Sequence, residues 1–359
     1  MRWELSEEQE LFTTSLREWL TERAGLPAVR GWLDAGDPSS FERLFVGEGW
    51  AAVGFDEELG GQGGGLLEIA LTARELGRAA APSAGWLQSA IVVPALAEEP
   101  TLVRAASESG EVTALAVRAD HVPAAVPSVE DRTDRLHGRI PCVLGAARAR
   151  RFLVPIADGD SISLWLVDGT DPGIRIHPRS LLDRSRDVAD VVLDDVAARR
   201  LELDAPATIN EIATRAAVLV AADALGASER MLQLTVDYSK QRQQFGRPIG
   251  SFQAVKHAAA QMLVTVESSL SIVCYAAQSA EEGLPERSTH AAVAKAQVTG
   301  AAAALADSAL TLHGAIGYTW EHDLQLFYKR AKLDRVLFGT PTVWNERIAD
   351  ALPLIPASA

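Results

Sequence analysis

The sequence predicts an α+β protein of several domains, in which helices come first, then β-strands, then long helices. Three observations predict this class. Apolar residues recur at helical spacing near the amino terminus, short apolar runs follow between residues 111 and 197, and helical spacing returns after Pro206. We therefore predict an all-α N-terminal domain at residues 1–108, an antiparallel β middle domain at 109–205 and a C-terminal four-helix bundle at 206–359.

The N-terminal domain opens with a helix that carries its own start signal. Ser6 and Gln9 have the spacing of a capping box, which predicts a helix through Arg23. One face of that helix is predicted to be buried, through Leu11, Phe12, Leu16, Trp19 and Leu20. A glycine-rich turn at 60–65 lacks the Lys-Ser/Thr pair of a phosphate-binding loop and leads into a helix from about Leu66 to near Pro82.

The middle and C-terminal domains differ in the period of their apolar residues. The runs VTALAV, RFLVPIA, SISLWLV, GIRI and VADVVL, separated by Gly, Asp and Pro, predict antiparallel strands. In the C-terminal domain the predicted buried stripe of one long helix consists of Val255, Ala259, Met262, Val266, Leu270, Val273 and Ala277. A second, alanine-rich helix at 291–312 is predicted to end at Gly314.

Composition excludes several classes of function. Lys plus Arg number 34 and Asp plus Glu 48, so the formal charge is −14, which argues against a general nucleic-acid binder. The two cysteines, Cys142 and Cys274, cannot form a disulfide framework or a Cys-rich zinc site. By inspection of the sequence, no apolar run reaches the length that a membrane helix needs, and MRWELSEEQELF lacks the regions of a secretion signal. We expect a cytoplasmic protein with no membrane or nucleic-acid partner.

Two local sequences carry a family resemblance. The segment RQQFGRPIGSFQ at 242–253 and the segment LHGAIGYTWEHD at 312–323, followed by KRAK at 329–332, resemble signatures of the acyl-CoA dehydrogenase family. The N-terminal GFDEELGGQGGG is similar to the acidic, glycine-rich turn of that family. The resemblance implies an all-α N-terminal domain, a β-barrel-like middle domain and a C-terminal helix bundle. It also implies FAD at a subunit interface of a dimer of dimers, an acyl-CoA substrate and an electron-transfer acceptor.

The resemblance assigns this chain a set of cofactor-binding residues. Arg242 matches the family arginine that reaches the FAD pyrophosphate of a neighbouring subunit, and a guanidinium suits that role because it pairs two phosphate oxygens and keeps its charge. Phe245 would pack near the adenine. The remaining assigned residues are Gln244, Gln253, Thr311, Gly314 and Thr340. Thr311 replaces a family glutamine, and His313 is expected to be a packing or capping residue.

The flavin-ring end and the catalytic base depart from the family pattern. The stretch at 115–121 lacks the family's Thr-Glu-Pro motif, and Arg118 within it is expected to form an exposed ion pair. Phe338 stands where many members carry the glutamate that removes the proton α to the thioester. Ala216 and Ala217 stand where other members carry it. Glu211 lies about 140° around the helix from Ala216, so we assign no catalytic residue.

These departures lead to a hypothesis with two alternatives. The residues that a chain contributes to its neighbour's FAD site match the family pattern better than the residues that it contributes to its own site. This is the pattern expected for the base-lacking subunit of a sterol-type α₂β₂ acyl-CoA dehydrogenase. A paralogous subunit would then supply the base, whereas a homo-oligomer would need both halves from one chain. The alternatives are a flavin-dependent monooxygenase on the same fold and a flavin-free assembly subunit.

Overall fold

The computed structural model describes residues 5–159 and 161–352. Met1–Glu4, part of the segment inspected for a secretion signal, and residues 353–359 of the predicted C-terminal domain lie outside the described residues. The N-terminal part is helical, as predicted. Its helices are α1 (Glu7–Arg23), α2 (Leu26–Ala35), α3 (Ser39–Gly47), α4 (Leu66–Ala79), α5 (Ala84–Val92) and α6 (Pro100–Ser109).

Helix α1 begins with the predicted capping box. The backbone N–H of Gln9 donates to Ser6 Oγ (3.2 Å), and the Ser6 N–H donates to Gln9 Oε1 (3.0 Å). The predicted buried stripe is wrong at one position, because the Leu11 side chain is 68% exposed. Leu16 and Leu20 are buried, and Leu11 lies off their face since it is five residues, about 140° of rotation, from Leu16.

The middle part holds the strands β1 (Val112–Leu115), β2 (Val129–Asp131), β3 (Arg135–Leu144), β4 (Ala149–Asp158), β5 (Ser161–Asp168), β6 (Ile174–Arg179) and β7 (Val188–Arg200). The five predicted runs correspond to β1, β4, β5, β6 and β7. The strands β2 and β3 were not predicted, because Gly138, Arg139 and Pro141 interrupt the apolar pattern of β3.

These strands form one sheet in the order β1-β4-β5-β7-β3-β2, with β6 also paired to β7. The pairing is antiparallel except between β1 and β4, which run parallel, with Thr113 opposite Arg151. This pair corrects the purely antiparallel prediction. Its physical reason is the long crossover through β2 and β3, since parallel neighbours cannot be joined by a tight hairpin. The sheet curves around a common core that includes Ile140, Phe152, Trp165 and Val191.

The C-terminal part is a helix bundle. It consists of α7 (Ala205–Gln241), the short strands β8 (Gln243–Gln244) and β9 (Arg247–Pro248), and the helices α8 (Gln253–Glu281), α9 (Arg287–His313), α10 (Leu324–Val336) and α11 (Pro341–Ala351). Helix α9 ends at Gly314, as predicted, with a φ of +65°. Helix α7 packs against α4, α8, α9 and α10 and so joins the bundle to the N-terminal part.

Two glycines allow α4 and α7 to approach closely. A Cβ on Gly226 would lie 1.8 Å from the Arg74 carbonyl oxygen, and a Cβ on Gly77 would lie 2.1 Å from that of Asp223. Both distances are shorter than any contact between a carbon and an oxygen atom that are not bonded to each other. The contact between these helices is therefore made backbone to backbone, and only glycine fits at these positions.

The prediction that no apolar segment is long enough to span a membrane is wrong for helix α8. By length and composition alone, α8 could cross a membrane, and 22% of its most apolar stretch is buried in the structure. Core helices of non-membrane proteins pass the same test. The predicted stripe holds in its centre and C-terminal half: Met262, Val266, Val273 and Ala277 are buried, whereas Val255, Ala259 and Leu270 are partly buried.

A buried ionic network connects the three parts of the fold. Arg330 of α10 is fully buried, and its guanidinium donates to both carboxylate oxygens of Asp223 on α7 (2.7 and 2.6 Å). The same group donates to the Ala81 carbonyl (2.7 Å) after α4. Arg186, just before β7, also reaches Asp223 (3.0 Å) and donates to Ser83 Oγ (2.5 Å). The charges are therefore paired and hydrogen-bonded, as a buried ion pair requires.

Asp334 adds a second carboxyl group to this network. It is fully buried, and burial together with the adjacent Asp223 charge raises the pKa of Asp334 well above its usual range. The two arginines instead lower the pKa of Asp223 against the opposing effect of burial. Of the two carboxyl groups, Asp334 is therefore the one that holds its proton more strongly, and Asp223 is the one that the arginines keep ionised.

Candidate functional site

A β-hairpin at the end of α7 carries the first group of predicted cofactor residues. Strands β8 and β9 pair through Gln244 and Arg247, and the Ile249 N–H donates to the Arg242 carbonyl (2.8 Å). Phe245 and Gly246 form the turn with φ of +53° and +77°. A left-handed phenylalanine is uncommon, and this side chain is also 91% exposed. Within the described part of the chain its ring makes one aromatic contact, edge-on to Phe252 at 6.1 Å, and the rest of the side chain is open to another molecule.

Arg242 lies at the base of this hairpin, where it caps α7 through its backbone. Its side chain is exposed, and among the described residues its guanidinium has no hydrogen-bond or ion-pair partner. The neighbouring cations are engaged: Lys240 lies 3.9 Å from Asp237, and the Arg247 guanidinium stacks over the Phe252 ring at 4.2 Å. Arg242 is thus the cation of this cluster that can bind a phosphate group.

The bundle brings most of the other predicted residues to the same end. Tyr238, one turn before Arg242, stacks on His313 with ring centroids 4.6 Å apart, so the C-terminal ends of α7 and α9 are adjacent. Gln253 is the first residue of α8, which begins at this end. The predicted residues that meet here are Arg242, Gln244, Phe245, Gln253, Thr311 and Gly314.

Some of these side chains are already hydrogen-bonded within the chain. Thr311 Oγ1 donates to the Asp307 carbonyl (2.8 Å), and Gln244 Nε2 donates to the Gln243 carbonyl (2.8 Å). Gly314 instead presents open backbone, because a Cβ added there would meet nothing within 4 Å. The unpaired guanidinium of Arg242 and this open glycine offer a nucleotide pyrophosphate a permanent positive charge and a backbone that it can approach closely.

His313 is a packing residue, as predicted. It is buried, its Nδ1 lies 2.8 Å from the Ala309 carbonyl oxygen, and its ring also contacts His322 at 4.7 Å. Burial lowers the pKa of His313, which favours the neutral ring.

Thr340 lies away from the other predicted residues. Lys295 Nζ donates to the Gly339 carbonyl (2.9 Å), and Lys295 precedes Thr311 by 16 positions on α9. At 1.5 Å per residue, this separation is about 24 Å along the helix. Thr340 therefore belongs to a second region of the chain, next to Phe338.

This second region is closed. Phe338 is fully buried with a φ of +54°, its N–H donates to the Ala119 carbonyl (2.6 Å), and its own carbonyl accepts from Trp344 Nε1 (2.9 Å). Ala216 and Ala217 are also fully buried, so solvent reaches none of the three side chains. The two positions that the resemblance associates with a catalytic base are thus occupied by packed apolar groups.

The charged groups near this region are paired with each other. Arg215 is buried between α5 and α7, where its Nε donates to the Ala90 carbonyl (3.2 Å) and its Nη1 lies 3.5 Å from Glu211. Arg118 forms the predicted exposed ion pair with Asp120 at 2.8 Å, and this pairing lowers the pKa of Asp120 to about 2. The carboxylate of Glu211 is thus already paired with the Arg215 guanidinium, one helical turn away on α7.

Lys295 is a positioning residue that sequence reasoning missed. Its ammonium is fully buried and donates to the Asp334 and Gly339 carbonyls at 3.0 and 2.9 Å. It thereby holds the end of α10 and the turn that carries Phe338. Its spacing in the sequence could have predicted that Lys295 is buried. It lies four positions after Ala291 and three before Val298, on a buried face of α9.

The geometry offers organic-cofactor contacts rather than metal ligands. Within residues 5–159 and 161–352, no group of three or more His, Cys, Asp or Glu side chains is arranged to hold a metal ion. Both cysteines are free thiols.

Comparisons with known proteins agree with these features. The family model "Acyl-CoA dehydrogenase, N-terminal domain" matches residues 6–101, and "Acyl-CoA dehydrogenase, C-terminal domain" matches residues 207–352. The chain is 32% identical over 338 residues to acyl-CoA dehydrogenase IpdE2 of Mycobacterium tuberculosis (strain ATCC 25618 / H37Rv), covering 93% of this chain and 94% of that protein.

Two solved structures share the fold. The Tcur3481-Tcur3483 steroid ACAD, G363A variant, superposes with a TM-score of 0.86 at 26% identity and covers 96% of this chain and 97% of that one. PigA with FAD and proline superposes with a TM-score of 0.88 at 19% identity and covers 99% of this chain and 100% of that one.

Proposed function

Because the chain belongs to the acyl-CoA dehydrogenase family, whose members are FAD flavoproteins that oxidise CH–CH bonds, we propose that it is the base-lacking subunit of a heteromeric enzyme. One contrast carries the proposal. The hairpin that carries Arg242 and Phe245, which we call the FAD-binding arm, exposes both side chains and leaves the Arg242 charge unpaired among the described residues, whereas the base position at Phe338 is buried and closed. The chain is equipped to serve a neighbour's flavin and not to deprotonate a substrate itself.

The arm would hold the nucleotide part of FAD. Arg242 would neutralise the pyrophosphate, Phe245 would pack against the adenine, and Gly314 would let backbone approach the phosphates. Bound FAD supplies the hydride acceptor for the substrate β-carbon, and this chain's residues supply binding and orientation.

The proton acceptor must then come from elsewhere. A phenyl ring and two methyl groups cannot take a proton, and Phe338, Ala216 and Ala217 occupy the family's base positions. Thr340 lies beside this closed region and away from the arm. We therefore assign the base to a paralogous subunit.

The exposed apolar surface of the bundle supports assembly with another chain. On α8, Leu263 and Val264 are 49% and 59% exposed, and Phe245 extends beyond the same end of the bundle. Such clusters of exposed large apolar side chains mark protein interfaces. A tetramer with the paralogue would cover the exposed face of α8. The apolar composition of this long helix would then be explained by a protein interface and not by a membrane.

One relative supports a steroid-derived substrate. The Tcur3481-Tcur3483 protein, which is 26% identical to this chain, is a steroid ACAD with two named components. We propose that the assembly dehydrogenates a steroid-derived acyl-CoA in the cytoplasm and passes electrons to a separate acceptor.

Co-expression tests this proposal. The chain is purified alone and together with a paralogous acyl-CoA dehydrogenase chain from the same organism that carries a glutamate at either base position. We expect FAD and acyl-CoA oxidation only in the co-purified assembly. Arg242→Ala in this chain should weaken FAD retention by about 1–3 kcal/mol for a lost charge-assisted contact. Lys240→Ala, which removes a nearby exposed charge, is the matched control.

Each contrary outcome identifies an alternative. Full flavin loading and acyl-CoA oxidation by the lone chain would refute the proposal. Oxygen consumption by its reduced flavin without any response to acyl-CoA would instead support a monooxygenase. A colourless assembly that contains both chains would support a flavin-free structural role.

A further inference from the structure

A cleft of about 390 Å³ opens beside α1, and none of the predicted cofactor residues lines it. Its walls come from α1, the turn into α2, the end of α4 and the middle of α7. Arg230 of α7 lies in this cleft, 12 residues before Arg242, which is about 18 Å along the helix. The cleft volume is within the range of small-molecule sites.

Three arginines line the cleft, although the protein as a whole is acidic. Arg17 makes two hydrogen bonds to the buried Glu75 (2.8 and 2.6 Å), and this pair is complete. Arg78 has only a 3.4 Å contact with Glu229, because Arg74 already holds that carboxylate at 2.6 Å.

Arg230, the third, is partly buried and has no hydrogen-bond or ion-pair partner within the described part of the chain. The remaining charged group on the wall, Asp323, is bound by Arg30 at 2.7 Å.

The charges in and behind the cleft leave a surplus. The four guanidinium groups are those of Arg17, Arg74, Arg78 and Arg230, and the two carboxylates are those of Glu75 and Glu229. The guanidinium groups therefore exceed the carboxylates by two positive charges. Burial and the neighbouring Arg17 and Arg230 lower the pKa of Arg78, which agrees with cations that lack enough anions.

The rest of the wall is apolar. Leu20 and Ala24 are buried against the cleft, and Leu26, Pro27 and Ala79 complete that side. A ligand that satisfies the whole cleft would therefore combine a doubly charged oxyanion with an apolar portion. Guanidinium groups bind phosphate oxygens in pairs, and a phosphate monoester carries nearly two negative charges at neutral pH.

We propose that this cleft binds a small organic phosphate monoester, with Arg230 and Arg78 on the phosphate and the Leu20 side against the apolar portion. A monocarboxylate would neutralise half of the surplus charge. The site is independent of the FAD-binding arm and of the subunit role of the chain.

Isothermal titration calorimetry of the full chain, in the assembly in which it purifies, tests the site with inorganic phosphate and with phenyl phosphate in chloride buffer. We expect a saturable site that binds phenyl phosphate more tightly than inorganic phosphate, because only phenyl phosphate reaches the apolar wall. Arg230→Gln should weaken phenyl phosphate binding at least tenfold without changing the circular dichroism spectrum, since Arg230 has no structural partner among the described residues.

Two control variants make the test specific. Arg132→Gln removes an exposed charge far from the cleft, and Arg242→Gln removes the proposed FAD contact. Both should bind phenyl phosphate as the wild type does. Absence of saturable binding, equal binding by Arg230→Gln, or a loss confined to Arg242→Gln would each overturn the proposal.

Discussion

Replacement of Asp334 by asparagine should abolish one part of the pH dependence of stability. In the folded protein burial and the Asp223 charge raise the pKa of Asp334 well above its usual range, whereas in the unfolded chain the group titrates at about 4. Between these two pKa values the folded state holds a proton on Asp334 that the unfolded state has lost. The stabilisation is complete below about pH 4 and is lost as pH rises toward the folded pKa.

The magnitude follows from the linkage relation. One proton contributes a slope of about 1.4 kcal/mol per pH unit. The wild type would lose stability through this group at up to this slope as pH rises from the unfolded pKa toward the folded pKa. The side-chain amide of the D334N variant has no titrating proton, and the Asp223 oxygens remain bound by Arg330 at 2.6 and 2.7 Å.

Urea denaturation of the wild type and of D334N between pH 4.5 and pH 8 measures the difference. D334N should become progressively more stable than the wild type as pH rises. Asp350→Asn on the exposed face of α11 is the matched control and should give a flat difference. A flat curve for D334N, or destabilisation of D334N at every pH, would show that Asp334 is ionised and paired with an arginine.

Three further predictions concern the core. Arg330→Met should cost about 3–5 kcal/mol, because it leaves the buried Asp223 without its bidentate partner, and the urea midpoint measures this. Burial lowers the pKa of Lys295 to about 7, so the wild type should gain stability relative to K295M as pH rises from 7 to about 10; parallel pH profiles would contradict this. Gly226→Ala should destabilise the protein by about 1–3 kcal/mol or more, because its Cβ would lie 1.8 Å from the Arg74 carbonyl oxygen. Gly300→Ala on α9 should stabilise it by about 0.5–1 kcal/mol, because a Cβ there meets nothing closer than 3.8 Å. The melting temperatures of the two variants check both signs.

Local features of the chain were predicted well. The capping box at Ser6, the end of α9 at Gly314 and the burial of Met262 and Val266 all depend on residues a few positions apart. The prediction of His313 as a packing residue was confirmed for the same reason. Such features are set by the helical period and by terminal hydrogen bonding.

Errors arose where local pattern and packing disagree. Leu11 is apolar but exposed, and β3 was hidden by polar residues within a strand that pairs along its length. The parallel pairing of β1 with β4 depends on where a long connection returns the chain. Sequence period indicates that an element exists but does not specify its neighbour.

The sequence by itself determined the element order, the family signatures and the side chains at the base positions, because these are properties of residue identity and short spacing. Only the tertiary structure decided that Arg242 is unpaired among the described residues, that Phe338 is sealed, and that Asp223 meets Arg330 across 107 positions. Whether a charge is free, paired or protonated depends on the groups that packing places within a few ångströms and on the water that it excludes.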